Sequence, residues 1–237
     1  MDKYLFTGFS ADYWNKYGTS WLASLNEFSQ FDGKSIVFSH DTLPSSAIEK
    51  LETSGVSVVG PWSEPAAGGR DLTLLMAEPF IKKHPGTYFH WDGDAYFQDS
   101  VLPLYESGTA LVICGTGMIG GQGDAWKTFF NFYRLAQFVR PMNAAQVVCE
   151  LVRCTPGLIK KEADVWNFSE LELLNWDNGF KYQNRLVPVV HLSKFKADPQ
   201  VDEFTFGSKY PTAYRKWRGC HVPKTVLSNQ KVNMPPE

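Results

Sequence analysis

Asp92 and Asp94 stand one residue apart in the stretch YFHWDGDAYF, residues 88 to 97, with Gly93 between them. The flanks are apolar and aromatic, so two carboxylates interrupt what otherwise reads as a buried strand. In an extended chain, residues two apart point to the same side. Like charges that close repel, and the pKa of at least one rises unless a cation lies between them. Hard oxygen ligands suit Mg²⁺ or Mn²⁺, whose usual shell is one or two carboxylates completed by substrate phosphates. Asp-Gly-Asp is also good turn chemistry, and that reading stands beside the metal reading. The place of the pair at the end of an apolar strand favours the metal.

A second candidate ligand lies a hundred residues on. VPVVHLSKFK puts His191 just after an apolar run, where an imidazole can add a nitrogen ligand and favour Mn²⁺ over Mg²⁺. Lys194 and Lys196 follow and could hold phosphate oxygens; solvated lysines after a strand are the plainer reading.

The elements that must position these groups alternate. KYLFTGFS reads as a strand, YGTSWLASLNEF as a helix with Trp21, Leu22, Leu25 and Phe28 at helical spacing, and SIVFSHD as a second strand. SSAIEKLETSG is expected to be a helix opened by a serine cap and closed by Gly55. VSVVGPW is a third strand, DLTLLMAEPFIKKHPG a helix with Pro79 inside it, and GTYFHWDGD the fourth strand. This alternation predicts a parallel sheet with helices on its faces, and ligands in such sheets sit beyond the carboxyl ends of the strands. The later chain is less regular. DSVLPLYES reads as a short helix, TALVICGT as a strand, GMIGGQG as a glycine loop, and DAWKTFFNFYRLAQFV and NAAQVVCELVRC as helices. An aromatic segment, a last strand (VPVVHLSKF) and a proline-bearing tail complete it.

The totals narrow the classes. The 237 residues suit one domain, and 43% hydrophobic with 20% charged residues can bury a core. A net charge of −2 and a pI near 6.2 give no overall basic footprint for nucleic acid, although the tail from Lys209 to Lys231 is locally basic. Cys114, Cys149, Cys154 and Cys220 match neither a zinc spacing nor a disulfide framework, which points to reduced thiols and a cytoplasmic setting. MDKYLFTGF reads as strand rather than signal peptide, and no apolar run has the length of a membrane span.

Together these parts resemble the GT-A fold glycosyltransferases, in particular the retaining branch with a late H-x-x-G-x-x-K segment. The resemblance covers about residues 3 to 196: the TGFS segment, a β/α half, D-x-D after the fourth strand, a glycine-rich segment, and a late strand ending in histidine. It implies an α/β, GT-A single domain with a mostly parallel central sheet and helices on both faces. Residues 1–200 would be catalytic, with a nucleotide-binding half (1–100) and an acceptor half (101–200), and 201–237 an irregular tail packed on the domain. It further implies that Thr7, Gly8, Phe9 and Ser10 line base and ribose, with Tyr13 as a stacking ring and Arg70 near the donor. Asp92 and Gly93 would face donor or metal, Asp94 and His191 would bind Mn²⁺ (or Mg²⁺), Gly120 and Gly121 would face the sugars, and Lys196 a phosphate.

The implied reaction is metal-dependent transfer from a nucleotide-diphosphate sugar, a UDP-sugar by the resemblance, to a hydroxyl acceptor (sugar, glycan or modified nucleic acid). The lysine is one place out of register with that branch, and its Asp-Gln pair is represented by Gln146 alone. An inverting enzyme needs a carboxylate base near the acceptor, and Asp124, just after the glycine segment, is the first candidate. Trp166 and Trp176 would form an acceptor wall. A sugar-nucleotide-forming nucleotidyltransferase would carry a basic glycine-rich loop after strand one, which TGFSADYW lacks. A non-catalytic nucleotide- or sugar-binding module is the other reading.

Overall fold

β1 (Lys3–Phe9) is the axis around which the chain winds. Its neighbours are β2 (Lys34–Ser39) on one side and β4 (Thr87–Trp91) on the other, both parallel to it. β3 (Val56–Val59) adds parallel to β2, so the chain steps outward from β1, then crosses back to place β4 on the opposite side. The protein is described by a computed structural model covering residues 1–62, 69–106, 111–114, 118–139, 142–144, 146–147, 150–151, 159–161, 175–176, 180–182, 185–186 and 188–191.

β6 (Leu111–Cys114), β7 (Met118–Gln122) and β8 (Ile159–Lys161) complete a seven-stranded sheet of order β3-β2-β1-β4-β7-β6-β8, in which β7 alone runs against its neighbours. The expected mostly parallel α/β sheet is therefore present. β5 (Ala95–Phe97) leaves that sheet and pairs antiparallel with β12 (Val189–His191), while β9 (Asn175–Trp176), β10 (Phe180–Tyr182) and β11 (Arg185–Leu186) form a small antiparallel sheet.

The period-two alternation of the strands sorts apolar side chains to two cores. Tyr4, Phe6, Ile36, Phe38 and Tyr88 pack with α4 (Gly69–Lys83) and α6 (Gly123–Val139). Leu5, Phe9, Val37, Phe89 and Trp91 pack with α2 (Thr19–Phe28), α3 (Ser45–Thr53) and α5 (Leu102–Glu106). Each fully buried aromatic contributes roughly 1.5–3 kcal/mol on transfer from water, so Trp21, Trp91 and Trp126 with their phenylalanine neighbours hold helices to both faces. Most of the high aromatic content among the described residues is thus core.

Several elements differ from expectation. The first helix begins earlier: α1 (Ala11–Tyr13) runs through a π turn (Trp14–Gly18) into α2, and Gly18 leaves room for the Trp14 ring. Ser10 caps α1, its Oγ accepting from the Tyr13 amide at 3.2 Å. α3 is preceded by Pro44 with no side-chain cap, so the expected serine cap is corrected; Gly55 does close it, at φ 75°. Proline in that position needs no amide partner, since the first amides of a helix have none. Among the described residues no helix is long and apolar enough to cross a membrane.

Candidate functional site

The chain crosses back between β1 and β4, and crevices form where a parallel sheet's strand order reverses. A cavity of about 380 Å³ opens there, within the range of small-ligand sites. β1 contributes Thr7 and Gly8, followed by Ser10 and Tyr13; β4 contributes His90, followed by Asp92 and Gly93 in the turn after it; α4 contributes Gly69, Arg70 and Thr73 from its first turns; His40 follows β2. Thr7, Gly8, Ser10, Tyr13, Arg70, Asp92 and Gly93 are thus brought together around one space.

Asp92, Gly93 and Asp94 are not extended. They form a turn closed by the Ala95 amide donating to the Asp92 carbonyl at 3.0 Å, which corrects the strand geometry expected for the pair. The two carboxylates consequently meet different partners. Arg70 grips Asp92 in a fork, Nε donating to Oδ1 at 3.0 Å and Nη2 donating to Oδ2, and the side chains are only 23% and 11% exposed. Asp94 is 2% exposed and lies close enough to the Tyr13 hydroxyl to influence its ionisation. Burial first, and then Asp94 and Asp92, push the Tyr13 hydroxyl far above its ordinary range, so it remains a donor. Burial alone would lower Arg70, but the Asp92 carboxylate outweighs it and Arg70 is raised.

Gly93 lacks a Cβ because Phe9 and Tyr13 occupy that place: an added Cβ would lie 2.5 Å from Phe9 Cε1. The close approach is made by the chain's own rings. Phe9 itself is fully buried, edge-on to Trp14 and Trp21, and is a support beneath the turn rather than part of the cavity wall. Gly8 serves in a similar way: a side chain there would collide with Thr73 and His40, which meet at 2.8 Å between Oγ1 and Nε2. The Thr73 hydroxyl donates to the Gly69 carbonyl at 2.9 Å, so His40 Nε2 is the donor to Thr73. Burial lowers the His40 pKa and Asp41 only partly offsets it, so the ring is neutral near pH 7.

Other expected site residues lie elsewhere. Gly120 and Gly121 are not in a loop but inside β7, opposite Phe89 and Tyr88 of β4, and a Cβ on Gly120 would strike the Phe89 ring. Asp124 begins α6 next to the far end of β4, where the Gly123 amide donates to the Gly86 carbonyl. Its side chain is 91% exposed and pairs with Lys127, so the structure does not bring it to the cavity as a base. Gln146 accepts from the Asn143 amide at 3.0 Å and donates its own amide to Asn143 Oδ1 at 2.9 Å, a reciprocal helix cap that uses this side chain structurally. Lys196, Trp166 and the 201–237 tail lie outside the described residues.

His191 is placed by register: its Cα is opposite Ala95, the residue after Asp94. The late strand thus runs beside the acidic turn. Among the described residues no three His, Cys, Asp or Glu side chains already converge as a metal-ligand set. The donor chemistry nevertheless fits a hard divalent ion: a carboxylate at the cavity wall, a second carboxylate two residues on, and a histidine strand alongside. His90 adds a nitrogen, Nε2 lying 3.9 Å from Asp92 Oδ1. Sequence reasoning missed His90, His40 and Thr73. His90 was readable from its place near the end of the strand that leads into the acidic turn. The His40–Thr73 pair joins residues 33 positions apart and had no local signal.

No protein-family model and no curated protein sequence matches the chain. Solved structures do. The apo form of the glycosyltransferase GlyE from Streptococcus pneumoniae TIGR4 superposes with a TM-score of 0.59 at 10% identity, over 96% of this chain and 62% of that one. The apo form of mouse xyloside xylosyltransferase 1 gives 0.56 at 13% identity, over 81% and 97%. An active-site variant of LgtC gives 0.52 at 12% identity, over 79% and 86%. The chain has the GT-A fold. It spans 62% of the length of GlyE. At such identities the likeness concerns the GT-A backbone, and the chemistry must be argued from the cavity.

Proposed function

We propose that the chain transfers a glycosyl group from a nucleotide-diphosphate sugar, a UDP-sugar as the first candidate, to a hydroxyl acceptor, with Mn²⁺ or Mg²⁺ as cofactor. The observation that carries this reading is the acidic turn at the end of β4, walled into the switch-point cavity of a GT-A sheet with His191 in register beside it. The fold likeness to GlyE, xyloside xylosyltransferase and LgtC supports it.

Asp92, Asp94 and His191 would hold the ion, with His90 near enough to assist. A divalent ion bound there supplies Lewis-acid stabilisation of the departing diphosphate. The chain's own residues do the rest. Arg70 and the amino-terminal end of α4 place positive charge on the cavity wall, where an oxyanion is stabilised more than in water. The Tyr13 hydroxyl stays protonated beside Asp94, and the rings of Phe9 and Tyr13 pack against Gly93 and support the turn. The reaction breaks the bond from the anomeric carbon to the diphosphate oxygen and forms one to the acceptor oxygen, whose proton is released.

A thermal-shift screen of nucleotide sugars with and without Mn²⁺ tests this, because a ligand that binds only the folded state raises apparent stability. A UDP-sugar that shifts the transition only with Mn²⁺, together with metal-dependent UDP release, is the expected result. Asp94→Asn should keep the fold and lose at least about a hundredfold in UDP release, in line with removal of a group that stabilises the transition state. Undiminished release in that variant refutes the site. Binding without release in the wild-type chain would instead identify a nucleotide-binding module.

A further inference from the structure

Arg70 already engages both carboxylate oxygens of Asp92. Its guanidinium spans both carboxylate oxygens, Nε at 3.0 Å from Oδ1 and Nη2 bonded to Oδ2, and the pair is mostly enclosed at the cavity wall. A forked arginine–carboxylate pair is strong and geometrically specific, and it occupies a lone pair on each carboxylate oxygen. With Arg70 in place the Arg70–Asp92–Asp94 group carries one net negative charge; with Arg70 removed it carries two. Asp71, next to Arg70 on α4, is engaged elsewhere, accepting from the Tyr133 hydroxyl at 2.9 Å and the Ala144 amide at 2.6 Å, so Asp92 is the carboxylate bonded by Arg70 within the described site.

We propose that Arg70 is a built-in competitor of the divalent ion for Asp92, so that the ligand-free protein binds metal weakly and binds it well only with a diphosphate that takes Arg70 over. The inference rests on the glycosyl-transfer reading. The diphosphate supplies what Asp92 supplies in the free protein: two acceptor oxygens for the guanidinium fork. Metal and nucleotide then bind with positive coupling, and Arg70 is the residue through which the coupling runs. Arg70 and Asp92 line the same cavity, so a diphosphate bound there meets both side chains. The device discourages a bare ion from occupying the site without its donor.

The test measures Mn²⁺ binding by the loss of the free-ion electron paramagnetic resonance signal, with and without UDP, for wild type, Arg70→Met, Arg70→Lys and Asp92→Asn. Near-ultraviolet circular dichroism checks the fold of each. Arg70→Met should bind Mn²⁺ alone at least about tenfold more tightly, because a neighbouring positive charge has gone. UDP should tighten Mn²⁺ binding strongly in the wild type and much less in Arg70→Met. Arg70→Lys, whose ammonium cannot fork, should fall between and keeps the test usable if Arg70→Met does not fold. Equal Mn²⁺ affinity in wild type and both arginine variants, with binding abolished by Asp92→Asn, overturns the competition and leaves the metal site standing. Absence of Mn²⁺ binding in every protein, with or without UDP, overturns both.

Discussion

Thr7 and His40 show how much of the cavity is decided one side chain at a time. The Thr7 hydroxyl is fully buried at the cavity and has no hydrogen-bond partner among the described residues, although buried hydroxyls are normally satisfied. A ligand group can complete it. Thr7→Val keeps the shape and should leave the thermal midpoint unchanged or slightly raised, while weakening the nucleotide-dependent shift by about 0.5–1.5 kcal/mol, one ordinary hydrogen bond. A fall in the ligand-free midpoint would show that the hydroxyl already has a partner. For His40, burial holds the folded pKa below its ordinary value of 6.5. The unfolded chain therefore binds the proton more readily, and the stability His40 contributes is full above about pH 6.5 and lost as pH falls below it. Urea titrations across that range should show a shallower decline for His40→Gln than for wild type; parallel curves would contradict the assignment. His90 was open to sequence reasoning because it lies on the strand that runs into the acidic turn, whereas His40 and Thr73 meet only through the stacking of α4 on β2.

At the scale of elements, β7 is the instructive case. A run containing Gly120, Gly121 and Gly123 reads locally as a loop, since glycine weakens strands. In the fold the same residues are what lets β7 lie against β4, because Phe89 fills the space a side chain on Gly120 would take. Gly120→Ala should therefore destabilise by about 1–3 kcal/mol through overpacking, measured by chemical denaturation, with little effect on ligand affinity per folded molecule. A large affinity loss at unchanged stability would return Gly120 to the site. β5 likewise had no separate signal. Only the turn at Asp92 to Asp94 separates it from β4, and its partner β12 lies about ninety residues away. The periodic helices α2 and α6 were evident because each packs apolar residues at helical spacing against a sheet face.

At the scale of the whole molecule, β1 and β4 are paired on both sides within the seven-stranded sheet and carry the floor of the cavity. Their amides should be the last to exchange with solvent, while those of the 92–94 turn should gain protection only when nucleotide and metal bind, as hydrogen-exchange mass spectrometry would show. Fast exchange in β4 would mean that the scaffold is looser than its burial implies. The sequence by itself determined the α/β class and the parallel order of the first half, and it singled out the acidic pair as a candidate, because hydrophobic period and turn chemistry are local properties of the chain. Tertiary structure decided the surroundings of those acids: Arg70 bonded to Asp92, Asp94 buried near Tyr13, and the His191 strand beside them. It also moved Asp124 to the far end of the sheet and Gln146 into a helix cap, since through-space proximity depends on how elements cross and stack, which no spacing along the chain encodes.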